Sequence, residues 1–177
     1  MFHCTERLLL RPPWPEDWQG VFAGIANRDV VRNLATAPWP YAPQDAQRWV
    51  ALPQDPFHPR LLICEARTGD IVGTIGFGPR EDGIELGYWI APTHQGRGYA
   101  TEAACGILDV ARMLGHRSVR AEHFTDNPAS GRVLRKVGFL PTGRVAMRSS
   151  LAREGEAACA VYEKSLGEDE LSAMRAA

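Results

Sequence analysis

The sequence predicts an α+β fold with a mostly antiparallel sheet and one β-α-β crossover. Three observations carry this. Short strand-like runs separated by turn residues occupy much of residues 1–90, a long helical periodicity begins after Pro92, and a second helix and two further strands follow. At 177 residues the chain is one ordinary domain, long enough to bury about 70% of its unfolded surface. Apolar residues make up 45% and charged residues 23%, the balance of a globular protein.

Thr5–Arg11 (TERLLLR) reads as a strand stopped by Pro12-Pro13. Residues 16–26 follow as a helix, because Trp18, Val21, Phe22 and Ile25 form one apolar stripe. Residues 38–59 hold six prolines and are expected to be irregular, apart from a short helix over 44–52. Residues 61–66 and 71–77 make a hairpin around Thr68-Gly69-Asp70, and Glu81-Asp82-Gly83 turns the chain into a strand over 84–90. Ala100, Ala103, Ala104, Ile107, Leu108, Ala111 and Leu114 then recur at helical spacing until Gly115. Ser118–Phe124 is the next strand. Asn127-Pro128 opens a helix, Asn as N-cap and Pro at the first position, which Gly138 stops. Strands over 139–148 and 157–166 close the pattern around Glu154-Gly155-Glu156, and the tail from Gly167 reads as helical or frayed.

Composition narrows the partners. A net charge of −1 gives no electrostatic reason to expect nucleic acid or an anionic membrane. No apolar run approaches the roughly 20 residues that span a bilayer, and the opening Met1–Glu6 lacks a signal-peptide pattern. Cys4, Cys64, Cys105 and Cys159 have no CxxC spacing and read as small apolar side chains in a reducing cytoplasm. His3, His58, His94, His116 and His123 have no metal-ligand spacing, so no metal is expected. His94, beside the glycine-rich turn, reads as a surface histidine.

The informative segment is Gln95-Gly96-Arg97-Gly98-Tyr99-Ala100, between a strand and the start of the long helix. Free backbone N–H groups at a helix N-terminus form an anion site. Glycines let the backbone approach a pyrophosphate, and Arg97 adds positive charge. The plainer alternative is a tight strand-to-helix turn with no ligand.

The chain resembles the GNAT superfamily of N-acetyltransferases. Gln95–Ala100 fits its Gln/Arg-x-x-Gly-x-Gly/Ala motif. Glu85-Leu86-Gly87-Tyr88-Trp89-Ile90 before it is also similar, as are Ala100-Thr101-Glu102-Ala103, Asn127-Pro128-Ala129-Ser130 and Lys136-Val137-Gly138-Phe139 after it. The wording is closest to the branch of the ribosomal-protein N-terminal acetyltransferases, as is Thr5–Arg11. The resemblance implies a GNAT-like mixed sheet of six to seven strands, a central β-α-β crossover and flanking helices. It divides one domain into an acceptor-side region (1–60), an acetyl-coenzyme A core (61–139) and a C-terminal hairpin (140–166).

It also implies roles. Amides of Gln95, Gly96, Arg97, Gly98, Tyr99 and Ala100 would hold the coenzyme A pyrophosphate. The strand ending at Trp89-Ile90 would pair with the pantetheine arm and offer an N–H to the thioester oxygen. Asn127 and Ser130 would contact the pantetheine end, although Asn127 is also a plain N-cap. The acceptor would be a primary amine, a protein N-terminus or a small molecule, attacking directly in a ternary complex. A homodimer stays open.

An attacking amine must lose a proton. Glu85 is the preferred base, because it lies on the strand that the resemblance makes present the thioester, and alternation puts it on one face with Gly87 and Trp89; a solvated or salt-bridged strand carboxylate is the alternative. Glu102 reads as structural. Relatives often place a sulfur-protonating tyrosine after the Asn, but no tyrosine falls between Tyr99 and Tyr162. Ser130 is the matching hydroxyl, a donor or water relay. Trp39 and Tyr41, among prolines, are candidates for the acceptor wall, whereas Trp18 and Trp49 read as core.

Two rivals remain. Gly96–Thr101 half-resembles a dinucleotide loop with Glu122 as ribose acid, but a Rossmann unit would repeat β-α-β. A catalytically silent acyl-coenzyme A sensor is the other.

Overall fold

A computed structural model describes residues 1–80 and 83–167. Eight strands form one sheet: β1 (His3–Cys4), β2 (Leu8–Arg11), β3 (Arg60–Glu65), β4 (Ile71–Arg80), β5 (Gly83–Ile90), β6 (Ser118–Phe124), β7 (Leu140–Ser149) and β8 (Glu156–Ser165). Their spatial order is β1-β2-β3-β4-β5-β6-β8-β7. Five helices accompany them: α1 (Trp18–Ile25), α2 (Arg28–Val31), α3 (Pro43–Ala51), α4 (Tyr99–Met113) and α5 (Pro128–Lys136). Every strand pair is antiparallel except β5 with β6, which α4 joins. That single parallel pair rules out the repeated β-α-β of a dinucleotide fold.

The strands alternate between two cores. Leu8, Leu10, Leu61, Ile63, Ile84 and Leu86 pack with α4 residues such as Ala103, Ile107 and Ala111. Leu62, Cys64 and Trp89 point the other way, onto α1, α2 and α3. Because β3 is covered on both faces, it reads as an unbroken apolar run rather than an alternation. α5 lies against β6 and α4.

The six- to seven-stranded expectation is corrected to eight. His3–Cys4 pairs with Leu10 and Leu9, a two-residue strand too short to give a pattern. The strand expected over Thr5–Arg11 starts only at Leu8. Thr5 instead closes a turn, its N–H donating to the Leu8 carbonyl at 2.9 Å and its Oγ1 accepting from the Leu8 N–H at 3.1 Å. The four-residue α2, capped by the Asn27 side chain, had no periodicity to reveal it. The α4, β6 and α5 expectations hold within a residue at each end. The tail expectation lies outside the described residues beyond Gly167. Among the described residues no helix is long and apolar enough to cross a membrane. Cys4, Cys64, Cys105 and Cys159 are free thiols.

Candidate functional site

The site begins where two strands part. β5 and β6 pair only over Ile84–Leu86 and Val119–Ala121, yet β5 continues to Ile90 and β6 to Phe124. Past the fork β5 stays with β4 as far as Gly73↔Ile90, and β6 stays with β8 as far as Phe124↔Cys159. The inner edges of residues 87–90 and 122–124 therefore face a gap rather than a strand. It opens into a cleft of about 1230 Å3 that Gly87, Tyr88, Trp89, Ile90, Asn127 and Ser130 help to line.

The glycine-rich turn forms one end of this cleft. After Ile90 the chain makes a short 3-10 turn over Pro92–His94, and the Gln95 side-chain amide donates to the Ile90 carbonyl at 3.0 Å. Gln95 so ties the loop to the end of β5. Gly96 and Gly98 have φ of 75° and 83°, left-handed values that a side chain resists, and Gly98 is the N-cap of α4. The orphan N–H groups of the first turn and the positive dipole end thus meet an exposed loop. Gln95, Gly96, Gly98, Tyr99 and Ala100 all line the cleft, whereas the Arg97 side chain does not. The Tyr99 ring is buried, so its backbone rather than its phenol is offered.

Arg7 braces this loop from behind, a role that sequence patterning missed. Its guanidinium donates to the Arg97 carbonyl at 3.1 Å and lies 4.9 Å from the Tyr99 ring centre. The Glu102 carboxylate holds it, accepting from the Arg7 backbone N–H and Nε at 2.7 Å each and from Thr5 Oγ1 at 2.6 Å. Glu102 is structural, as expected. The signal available in the sequence was the Thr5-Glu6-Arg7 opening, whose partner lies 95 residues away.

Glu85, Gly87 and Trp89 share the face of β5 opposite α4, as alternation required. Trp89 is nearly buried under α1, where a Cβ on Gly24 would stand 2.9 Å from its ring. Its contribution to the cleft is therefore backbone. Glu85 lines the cleft in an ion pair with Arg80. Glu122, on the neighbouring strand, accepts from Arg148 Nε and Nη2 at 2.8 and 2.9 Å, and Arg80 stands 3.6 Å away. Two carboxylates and two guanidiniums thus stand together on the face of the sheet opposite α4. Cys159 lines the same wall, its thiol pushed up to about 11 by burial and by Glu122.

Asn127 caps α5, its Oδ1 accepting from the Ser130 N–H at 3.3 Å, and it also lines the cleft. Tyr41 is buried in the second core and lines the cleft, its hydroxyl pushed up to about 12 by burial and Asp45. Trp39 packs half-buried against that core and stays out of the lining. His94 borders the cleft, its Nδ1 3.0 Å from Thr93 Oγ1. Among the described residues no group of three His, Cys, Asp or Glu side chains could hold a metal.

A forked mixed sheet, with one parallel strand pair and a helix N-terminus at the mouth of the fork, is not the repeated β-α-β of a nucleotide oxidoreductase. A family model described as "Acetyltransferase (GNAT) domain" matches residues 7–140. The chain belongs to that family. It is 33% identical over 146 residues to the uncharacterized N-acetyltransferase YoaA of Bacillus subtilis, covering 78% of this chain and 82% of that protein. The uncharacterized N-acetyltransferase YnaD of the same organism is 30% identical over 149 residues, 81% and 85% of the two chains. Among solved structures, a GNAT-family acetyltransferase from Bacillus anthracis superposes with a TM-score of 0.81 at 22% identity, over 93% of this chain and 98% of its own. Spermidine N-acetyltransferase from Vibrio cholerae, solved with CoA and spermine, gives 0.74 at 17% identity, over 91% and 96%. A ribosomal-protein-serine acetyltransferase, assigned as such from Vibrio cholerae, gives 0.74 at 18%, over 93% and 97%. These structural likenesses establish the fold.

Proposed function

We propose that this chain is an N-acetyltransferase that moves an acetyl group from acetyl-coenzyme A to a primary amine in a ternary complex. The observation that carries the proposal is the fork: a strand edge without a partner from Gly87 to Ile90, ending at the N-terminus of α4. A pantetheine arm carries amides at the spacing of a strand and can pair with such an edge, while its pyrophosphate meets the N–H groups at Gly96–Ala100. An N–H of β5 that would otherwise seek β6 then faces the thioester oxygen, where negative charge grows as the amine attacks. Asn127 and Ser130 border the thiol end of the arm. Glu85, from the opposite face, takes the amine proton directly or through one water. Glu85 is paired there with Arg80, which also stands 3.6 Å from Glu122. The acceptor is a protein N-terminus or a small amine; proteins with this fold are named for each.

The test is isothermal titration with acetyl-coenzyme A and then with NAD, followed by a screen of amines that reads released thiol. Micromolar binding of acetyl-coenzyme A, lost in Gly98→Val, together with turnover of an amine supports the proposal. Binding without turnover of any amine would leave the silent acyl-coenzyme A module, and binding of NAD instead would refute both.

A further inference from the structure

The leaving thiolate needs a proton donor or a hydrogen bond, and the helix after Asn127 carries no tyrosine to supply one. The phenol arrives from a different element. Tyr88 leaves β5 on the face opposite Glu85 and reaches α5, its hydroxyl 2.8 Å from Ser130 Oγ and 3.5 Å from the Ser130 carbonyl. Both residues line the cleft. A carbonyl only accepts, so both Ser130 oxygens within reach draw the phenolic proton toward Ser130. With Tyr88 as donor, Oγ is occupied as an acceptor, and the Ser130 proton is left to point elsewhere. Ser130 lines the cleft into which the gap between β5 and β6 opens.

The geometry points to Tyr88 as the positioning residue for the leaving group: its phenol fixes Ser130 so that the serine O–H meets the departing coenzyme A sulfur. This rests on the acetyl-transfer reading above. As the C–N bond forms, the C–S bond breaks with its electron pair on sulfur. The amine proton leaves toward Glu85 or water, and the thiolate is held by the Ser130 hydroxyl until solvent protonates it. Burial pushes the Tyr88 hydroxyl up to about 12, so the phenol keeps its proton while a thiol, near ~8.5, titrates freely. Such a pair polarises the serine O–H without either hydroxyl ionising. The alternating face of β5 then has a meaning on both sides: Glu85 serves the acceptor and Tyr88 the leaving group.

Tyr88→Phe keeps the ring and removes only the hydroxyl. We expect kcat for the best amine to fall about tenfold or more, with the KM for acetyl-coenzyme A and the calorimetric affinity for coenzyme A within about twofold. Ser130→Ala should match that loss, Ser130→Thr should retain most activity, and the double variant should be no slower than the slower single one. A thermal midpoint near wild type for Tyr88→Phe separates positioning from packing. Wild-type kcat in Tyr88→Phe, a loss confined to KM, or single losses that multiply would overturn the inference. A wild-type protein that binds acetyl-coenzyme A yet acetylates no amine would instead overturn the functional reading beneath it.

Discussion

Gly98→Ala isolates the physics of the loop. At φ 83° a Cβ places the residue in left-handed backbone, which costs about 1–2 kcal/mol for an L-residue. The new methyl would stand 3.4 Å from Arg7 Nη2, the far end of a flexible side chain, so the conformational strain outweighs the contact. That strain must appear somewhere. If the loop keeps its shape, the folded state bears it, and the midpoint drops about 2–8 °C for a chain of this size. If the free loop relaxes instead, the strain reappears when ligand forces the shape back. Acetyl-coenzyme A affinity would then fall about 5- to 30-fold at 1.36 kcal/mol per decade. Calorimetry and a thermal melt read the two together. Gly155→Ala is the control: its φ of 108° carries comparable strain in the β7–β8 turn, outside the cleft, so it should cost stability and leave binding alone. A Gly98→Ala protein unchanged in both midpoint and affinity would refute the claim that the left-handed glycine shapes the anion site.

Glu85→Gln should lower kcat by about 100-fold or more while leaving coenzyme A affinity in place, read by steady-state kinetics beside calorimetry. Glu102→Ala frees Arg7 from the loop, so KM for acetyl-coenzyme A should rise with kcat little changed. The Arg153 guanidinium holds the Asp126 carboxyl below its usual range, with Arg32 adding to it. A depressed carboxylate contributes stability above its unfolded value of ~3.9 and loses it as pH falls through the lower folded value. Wild type should therefore lose midpoint below about pH 4 more steeply than Asp126→Asn.

The sequence made local features legible and left long-range ones hidden. The α4 stripe, the Asn127-Pro128 cap and the Gln95–Ala100 turn depend on neighbours a few residues apart, and they fall where periodicity and capping chemistry put them. β1 escaped because two residues carry no period, and α2 because four residues make one turn. Glu85 lines the cleft on the face of β5 that alternation gives it. Arg7, Arg148 and the Tyr88–Ser130 contact stayed hidden, since each depends on a partner 26 to 95 residues away. Trp39 packs against the second core outside the cleft lining, and an aromatic among prolines suits a core lid as well as a binding wall.

What joins these residues into one device is the register of β5. Side chains alternate along a strand, so a slip of one residue would send Glu85 toward α4 and Tyr88 to the opposite face. Two close approaches oppose that slip at the mouth of the fork. A Cβ on Gly73 would stand 2.1 Å from the Trp89 carbonyl, so β4 lies against β5 only where glycine occupies that position. Trp89 is in turn seated under Gly24 of α1. Gly73→Ala should thus push the end of β5 away from β4 and into the gap. Coenzyme A affinity and kcat would fall together, since one displacement moves the pairing edge, the Ser130 partner and the carboxylate at once. If affinity fell with kcat intact, the three would be independent of one another, and register would not be what couples them.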